Sequence, residues 1–444
     1  MITPTPAESS ALAEGRARLA AGQGAALPFV NTAVPGRASA ALVDLLARYE
    51  CPAITARRVR RAGGQGGRAR AGPGAAAGDP VVWAEALGAN VLDVDGNLYV
   101  DMTAGFGVAS AGHRHPAVVA AGQAQLGRLP HAMGDVFPDV TRIRLMERLA
   151  AETGLDRVIF GSSGSDAVEA AIKTAWVATG RRRVLAFSGG YHGLASAPLA
   201  ALGYKVNAFA EPFRGMLGGH VDLAPFGGVW PELGAYAAVL VEPVQGRGGN
   251  RAPPSGWLSA LHLAARAAGA LMIHDEIQCG LGRTGAWLAA DHEGVTPDLL
   301  ALGKALGGGF PISACIGSAR VMDAWGASTG EAIHTQTFLG NPVGAAMALA
   351  SLEVLRPLTA RAAEHGARLQ TALRRVRGVR GVRGRGMMIG VEVADPLVSM
   401  QRLLERGYLV LPSGEGPDAL GLTPPLTLSE AQADAFVEAL AACL

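Results

Sequence analysis

Lysine is nearly missing from this sequence. Among 444 residues only Lys173, Lys205 and Lys304 carry the side-chain amine, and arginine supplies the other basic charges. Cysteine is scarce as well: Cys51, Cys279, Cys315 and Cys443 stand far apart without a C-x-x-C pair. That spacing argues against a zinc knuckle and a disulfide framework, and fits a reducing compartment. No stretch reaches the about 18 uninterrupted apolar residues of a membrane span, and "MITPTPAESSALAEG" lacks the basic start and apolar run of a secretion signal. A cytoplasmic, soluble protein without membrane contact is expected. Basic blocks are absent too. A formal net charge of +2 spread along the chain leaves no electrostatic footprint for nucleic acid, so the expected partner is a small molecule or another protein.

Apolar material is plentiful. Hydrophobic residues make up 49% of the chain, and a single core stops growing near roughly 250–300 residues, so at least two packed regions are expected. Residues 1–50 are Ala-rich, with Leu42, Leu45 and Leu46 at helical spacing, and carry no legible chemistry. The Gly/Arg/Pro stretch "RRAGGQGGRARAGPGAAAGDP", 60–80, reads as a surface loop. "NVLDVDGNLYVDM" alternates apolar and polar residues around Asp95-Gly96, a strong hairpin signal.

From residue 157 onward, short apolar runs alternate with helix-like segments. The runs are "RVIF" (157–160), "RVLAF" (183–187), "AAVLV" (237–241), "ALMI" (270–273), "LLAL" (299–302) and "SACIG" (313–317). Near-continuous apolar strands between amphipathic helices predict an α/β fold with a mainly parallel sheet covered on both faces. Ligands bind such sheets outside the carboxyl ends of the strands. The residues at those ends are a glycine-serine turn at 161–165, Tyr191-His192, Glu242, Asp275 and Lys304. One crevice then holds a phosphate-binding turn, an aromatic ring, carboxylates and an amine.

Each motif has a plainer alternative. "GSSGSDAVEAAIKTA" places Ser163 and Asp166 at capping-box spacing ahead of small residues, which suits an anion at a helix N-terminus or simply an ordinary capped helix. Asp275 ends a buried run and needs a positive partner, either a cationic heterocycle nitrogen or a nearby arginine such as Arg283. Gly280 to Gly285 satisfies G-x-G-x-x-G but does not sit directly at a strand end. Lys304 is no Walker lysine, because Ala305 follows it, whereas a desolvated lysine after a strand is suited to form a Schiff base. His113 and His115 in "AGHRHP" lack further ligands, and no metal is expected.

At this point the sequence resembles a known family. "YVDMTAGFGVASAGHRHP", "FGSSGSDAVEAAIKTA", "GGYHG", "VEPVQGRGG", "HDEIQCGLGRTG", "PDLLALGKALGGGFP", "TQTFLGNPVG" and "LTPPLTLSEAQ" follow the order and spacing of the class III, pyridoxal-phosphate-dependent aminotransferases, over roughly residues 80–444. The resemblance implies fold type I: a large, mainly parallel-sheet domain with helices on both faces, and a smaller α+β domain built from both chain ends. The implied division is an N-terminal segment 1–50, small-domain parts 51–107 and 341–444, and a cofactor domain 108–340.

The resemblance also implies roles. Lys304 is similar to the lysine that holds the cofactor as an internal aldimine, Asp275 to the acid on the pyridine nitrogen, and Gln278 to the side chain near the ring hydroxyl. Tyr191 takes the place of the stacked aromatic residue, while Gly164 and Ser165 match the phosphate turn. Ser163, His192 and Glu242, on the same loops, complete the cofactor-binding set. Thr337 resembles a residue that reaches the phosphate of a neighbouring subunit, which implies a homodimer with shared sites. Lys304, Asp275 and Tyr191 form the expected catalytic group.

Two positions depart from the family pattern. Many members carry Glu where Arg247 stands and an arginine where Gly421 stands, a pair that gates recognition of the common dicarboxylic acceptor; both are absent here. Arg247 is the candidate for a substrate carboxylate, the alternative being a solvated loop arginine. The expected activity is ping-pong transfer of an amino group from an amino acid or amine to a keto acid. The rival on the same scaffold is a racemase or epimerase, and a nicotinamide-dependent oxidoreductase built on "GLGRTG" is the distant one.

Overall fold

The computed structural model describes residues 6–51, 54, 80–416 and 418–444. The Gly/Arg/Pro stretch expected to form a loop lies outside them, apart from Pro80. The predicted runs form a seven-stranded sheet in the order Arg157–Gly161, Ser313–Gly317, Leu299–Leu302, Leu271–Asp275, Tyr236–Val241, Arg183–Phe187, Val221–Ala224. Ser313–Gly317 runs antiparallel to both neighbours, and the remaining ladders are parallel.

Burial follows the two-residue period of a strand. Val184 and Ala186 pack with the Gly164–Thr179 helix, whereas Leu185 and Phe187 pack with the Trp257–Ala268 helix on the opposite face. Ala167, Ala170, Ala171 and Ala175 line the first of these helices, so its backbone lies close to the sheet. Each fully buried Leu, Ile or Val contributes about 1.5–3 kcal/mol. Among the described residues one helix, Pro342–Arg374, is long and apolar enough to cross a membrane. Its Ala345, Ala348, Leu352, Leu355, Leu369 and Leu373 are buried in the largest core cluster, beside Leu300, Leu302 and Ile316 of the sheet.

The Asp95-Gly96 hairpin forms between Asn90–Asp93 and Leu98–Asp101, as its alternation predicts. Both of its faces are buried, because the N-terminal helix Pro6–Ala21 places Leu19 against Leu92 and Leu98. Asp95 reaches the second N-terminal helix, Arg37–Tyr49, by accepting from Ala38 N (2.8 Å) and Ser39 N (3.0 Å). On its other edge Leu98–Asp101 pairs in parallel with Tyr408–Leu409, which joins the two ends of the chain. A separate antiparallel sheet collects Gly381–Arg385, Met388–Glu392, Ala419–Leu422 and Leu411–Ser413.

Candidate active site

Strand register sets the first groups. Val241 lies opposite His274 and Asp275 opposite Ala301, so Glu242 and Asp275 emerge level with each other and Lys304 follows in the turn beyond the next strand. Lys304 has φ of +34°, a left-handed value unusual for a residue with a side chain; strain of this kind clusters at functional sites. Gly303, before it, has no Cβ and lies 3.6 Å, measured from an ideal Cβ, from Gly164 Cα. The lysine turn and the start of the Gly164–Thr179 helix therefore meet.

That helix begins with a capping box. Asp166 N donates to Ser163 Oγ (3.3 Å), and Ser162 N and Ser163 N donate to Asp166 Oδ2 (3.0 and 2.9 Å). Asp166 is partly buried, but these donors and the Gln336 side chain hold its carboxyl below the ordinary value. The Gly164 and Ser165 N–H groups, in the first turn, have no acceptor within the helix. A Cβ on Gly164 would meet Ile277 Cδ1 at 2.7 Å, so a larger residue would force that side chain aside. Ser165 Oγ accepts from Ala195 N (2.9 Å), which fixes the loop following Tyr191 and His192 beside the turn.

The buried charges form one group. His192 Nδ1 lies 2.8 Å from Asp275 Oδ2, and Asp275 Oδ1 accepts from Ile277 N (3.1 Å). Arg283, the alternative partner for Asp275, is instead turned to Ser110 Oγ and the carbonyls of Met387 and Pro424. Both Glu242 oxygens are engaged by backbone, from Tyr191 N (2.8 Å) and Gly246 N (3.0 Å), so this acid ties two loops together. Burial pushes Glu242 up to about 7, against the opposing charge of His192. Burial also lowers Lys304, with Arg247 adding to that effect and Asp275 and Glu242 opposing it.

Aromatic rings surround the guanidinium of Arg247. Its Cζ lies 4.5 Å from the ring centroid of Tyr191, 5.9 Å from that of Tyr204 and 6.0 Å from that of Phe106. Among the described residues no carboxylate pairs with it. Gly246, beside it, would place a Cβ 2.4 Å from Gln278 Oε1, so that side chain lies flat against the loop.

Phe106 was not legible as a site residue. It belongs to a turn in which Ala104, Gly105, Phe106 and Gly107 all have positive φ, at 47°, 55°, 66° and 81°. Left-handed backbone costs a residue with a side chain about 1–2 kcal/mol, and buried Asp101 offsets this. Asp101 accepts from Thr103 N (2.8 Å), Thr103 Oγ1 (2.6 Å) and Gly105 N (2.9 Å), and its Oδ2 lies 2.8 Å from His113 Nε2. His113 is thus a packing residue of this turn, as expected. Gly107 faces inward, its ideal Cβ 3.7 Å from Lys304 Cδ and 3.9 Å from Gln278 Cγ. The signal in the sequence was glycine on either side of the phenylalanine.

The remaining expected residues divide. Ser163 is exposed and its hydroxyl serves the cap. Thr337 is exposed and the neighbouring Gln336 bonds Asp166. Lys173 pairs with Glu169 on the helix surface, and Lys205 lies over the Tyr204 ring, so neither competes with Lys304. Residues 280–285 form consecutive turns with no helix opening on them, so the dinucleotide reading fails.

Comparison with known proteins decides the family. The class-III aminotransferase family model matches residues 74–227 and 232–444. The chain belongs to the class III aminotransferases. It is 40% identical over 380 residues to an acetylornithine aminotransferase of Mycobacterium bovis, covering 82% of this chain and 92% of that one. Among solved structures, it resembles an ornithine aminotransferase of Toxoplasma gondii (31% identity, TM-score 0.76, 91% of this chain and 97% of that one). It also resembles the pyridoxal-phosphate-bound form of an amine transaminase from an uncultivated Pseudomonas species (30%, 0.76, 86% and 98%). This class III aminotransferase has fold type I and uses pyridoxal phosphate to move an amino group from an amino donor to a keto-acid acceptor. Its residues fit that cofactor: a helix N-terminus with a glycine packed against Ile277, a buried carboxylate and a half-buried amine lie together at the strand ends.

Proposed function

We propose that Lys304, Asp275, Gln278, Tyr191 and the Ser163–Gly164–Ser165 turn hold pyridoxal phosphate, and that Arg247 holds the carboxylate of an amino-acid donor. Bound cofactor supplies an aldehyde that captures amines and a ring that withdraws electrons from the neighbouring carbon. Lys304 Nζ would hold the aldehyde carbon, Asp275 the ring nitrogen, Gln278 the ring hydroxyl and the turn's N–H groups the phosphate. Tyr191 would stack on the ring. His192 and Glu242 act through others, His192 by orienting Asp275 and Glu242 by fixing the Tyr191 loop.

Lys304 would also serve as the base for the substrate Cα proton, holding it at Nζ. Burial lowers its pKa, so more of the amine is neutral near pH 7 than for an ordinary lysine. The observation that carries the substrate reading is the Arg247 guanidinium, which lies over the Tyr191 ring, adds its charge to the surroundings of Lys304 and has no carboxylate partner among the described residues. Its planar fork can donate two parallel hydrogen bonds to a carboxylate. Arg247→Ala should weaken amino-acid donors by about 10- to 100-fold in a single half-reaction, since a charged hydrogen bond contributes about 1.5–3 kcal/mol. Amines lacking the carboxylate should be spared. Equal losses for both donor classes, or none for either, would refute the assignment.

A homodimer is part of the same reading. Phe137 (67% exposed), Val136 (62%), Val140 (60%) and Phe338 (62%) form an apolar face next to Thr337, with the His131 and Phe338 rings 5.4 Å apart across it. Large exposed apolar patches mark interfaces. A second copy seated here would bring Thr337 toward a neighbouring phosphate turn. The four free thiols accord with a cytoplasmic setting.

A further inference from the structure

Rings alone hold the Arg247 guanidinium. Among the described residues its side chain makes no hydrogen bond and no ion pair, while its Cζ lies 4.5 Å from the ring centroid of Tyr191 and 5.9 Å from that of Tyr204. Tyr191 already belongs to the cofactor reading; Tyr204 has no part in it and is buried at 7% exposure. Backbone brings the two tyrosines together. The Gly190 carbonyl accepts from both Gly203 N (2.9 Å) and Tyr204 N (3.0 Å), and Gly189 N donates to the Gly203 carbonyl (3.0 Å). A Cβ on Gly203 would run into the Phe187 carbonyl, so this close approach depends on the glycine. The Tyr204 ring then meets that of Tyr191 edge-on, with centroids 6.3 Å apart at 80°, and Phe209 lies 6.4 and 6.5 Å from the two. Leu199 and Leu202 pack with Tyr204 in the same cluster.

We infer that Tyr204 is a positioning residue for the donor carboxylate, its ring acting with that of Tyr191 to hold the Arg247 guanidinium ready to receive it. The inference rests on the reading of Arg247 above. An arginine side chain has many rotamers, and a guanidinium without an acid or a carbonyl to anchor it must be held by something else. The face of a tyrosine ring attracts a cation, the more so where water is excluded. That attraction occupies none of the five N–H donors with an acceptor, so all of them remain for the substrate. A carboxylate in the place of the rings would hold the arginine equally well but would compete with the donor for it. The attraction belongs to the ring face and not to the hydroxyl, so phenylalanine should serve at position 204 and an aliphatic residue should not.

Two measurements on the holoenzyme test this. The first is the rate at which phenylglyoxal modifies Arg247, followed by peptide mass spectrometry. The reagent attacks the neutral guanidine, which a ring contact disfavours, so Tyr204→Leu should speed modification about 3- to 10-fold and Tyr204→Phe should change it less than about twofold. The second is the single half-reaction with whichever standard amino acid reacts fastest, read by cofactor absorbance over a range of donor concentrations. Tyr204→Leu should raise the half-saturating concentration about 3- to 10-fold while the limiting rate stays within about twofold, and Tyr204→Phe should restore it. Tyr204→Met takes the place of Tyr204→Leu if that variant does not fold. Added to Arg247→Ala, Tyr204→Leu should weaken the donor no further, because the two residues act as one unit. A folded aliphatic variant with unchanged half-saturation, a loss confined to the limiting rate, a phenylalanine variant as poor as the aliphatic one, or additive losses would each overturn the inference. If Arg247→Ala weakens the donor and Tyr204→Leu does not, only the role of Tyr204 is lost. If Arg247→Ala leaves half-saturation unchanged, or the wild-type holoenzyme is inert toward every standard amino acid, the Arg247 reading falls and this inference with it.

Discussion

His192 Nδ1 and Asp275 Oδ2 lie 2.8 Å apart, both buried at the carboxyl edge of the central sheet, with Glu242 level on the neighbouring strand. Burial disfavours a charged imidazole, but the bond to Asp275 and the charges of Asp275 and Glu242 outweigh it, and His192 is raised overall. Glu242 is raised by burial from 4.5 to about 7. Both groups hold their protons more tightly folded than unfolded.

A dependence of stability on pH follows from that sign. The Glu242 contribution is fully present below its unfolded value of 4.5 and is lost as pH climbs through about 7; that of His192 is lost at the raised folded value in the same way. In thermal melts of the apoprotein, wild type should lose stability relative to Glu242→Gln between about pH 5 and pH 8. A wild-type-minus-variant difference that stays flat, or rises, would contradict the assignment.

Gly164 faces Ile277 with no room for a methyl group, since an added Cβ would lie 2.7 Å from Cδ1 and 2.9 Å from Cγ2. Overpacking of this kind costs about 1–3 kcal/mol, so Gly164→Ala should raise the Kd for pyridoxal phosphate roughly 10- to 100-fold. Gly164→Ala with Ile277→Ala should recover most of the loss. Titration of the apoprotein by absorbance checks both, and a double variant no better than the single one would rule out the steric account.

Asp101 has four neighbours that an asparagine cannot all satisfy, because its amide nitrogen would oppose an N–H group. Asp101→Asn should destabilise the protein by about 1–3 kcal/mol. As the turn at 104–107 relaxes, the donor KM should rise, since Phe106 lies beside the Arg247 guanidinium, and kcat should fall with it, since Gly107 packs toward Lys304. Denaturant melts and steady-state kinetics report the two effects. A loss confined to kcat would mean that Asp101 does not hold Phe106 beside Arg247.

The strands whose ends carry Asp275, Glu242 and Lys304 were legible because strands buried on both faces read as unbroken apolar runs. Val221–Ala224 was not, since it is an edge strand with Asp222 and Leu223 partly or fully exposed, and its four residues show no such run. Nor does an apolar run carry a direction, so the reversed sense of Ser313–Gly317 emerges only from its pairing. The capping box at Ser163 is local and was read directly. The Asp101–His113 contact is different: it depends on a left-handed backbone that Gly105 and Gly107 allow but do not require, and the place of Phe106 beside Arg247 was hidden with it.

The parallel ladder between Leu98–Asp101 and Tyr408–Leu409 has a consequence for the order of events during biosynthesis. The partners are separated by roughly 300 residues, which a ribosome adds in about 15–60 s at roughly 5–20 residues per second. Throughout that interval the hairpin presents an open hydrogen-bonding edge to whatever strand is near. The pairing of Val100 and Asp101 therefore waits until the last tenth of the polypeptide has emerged.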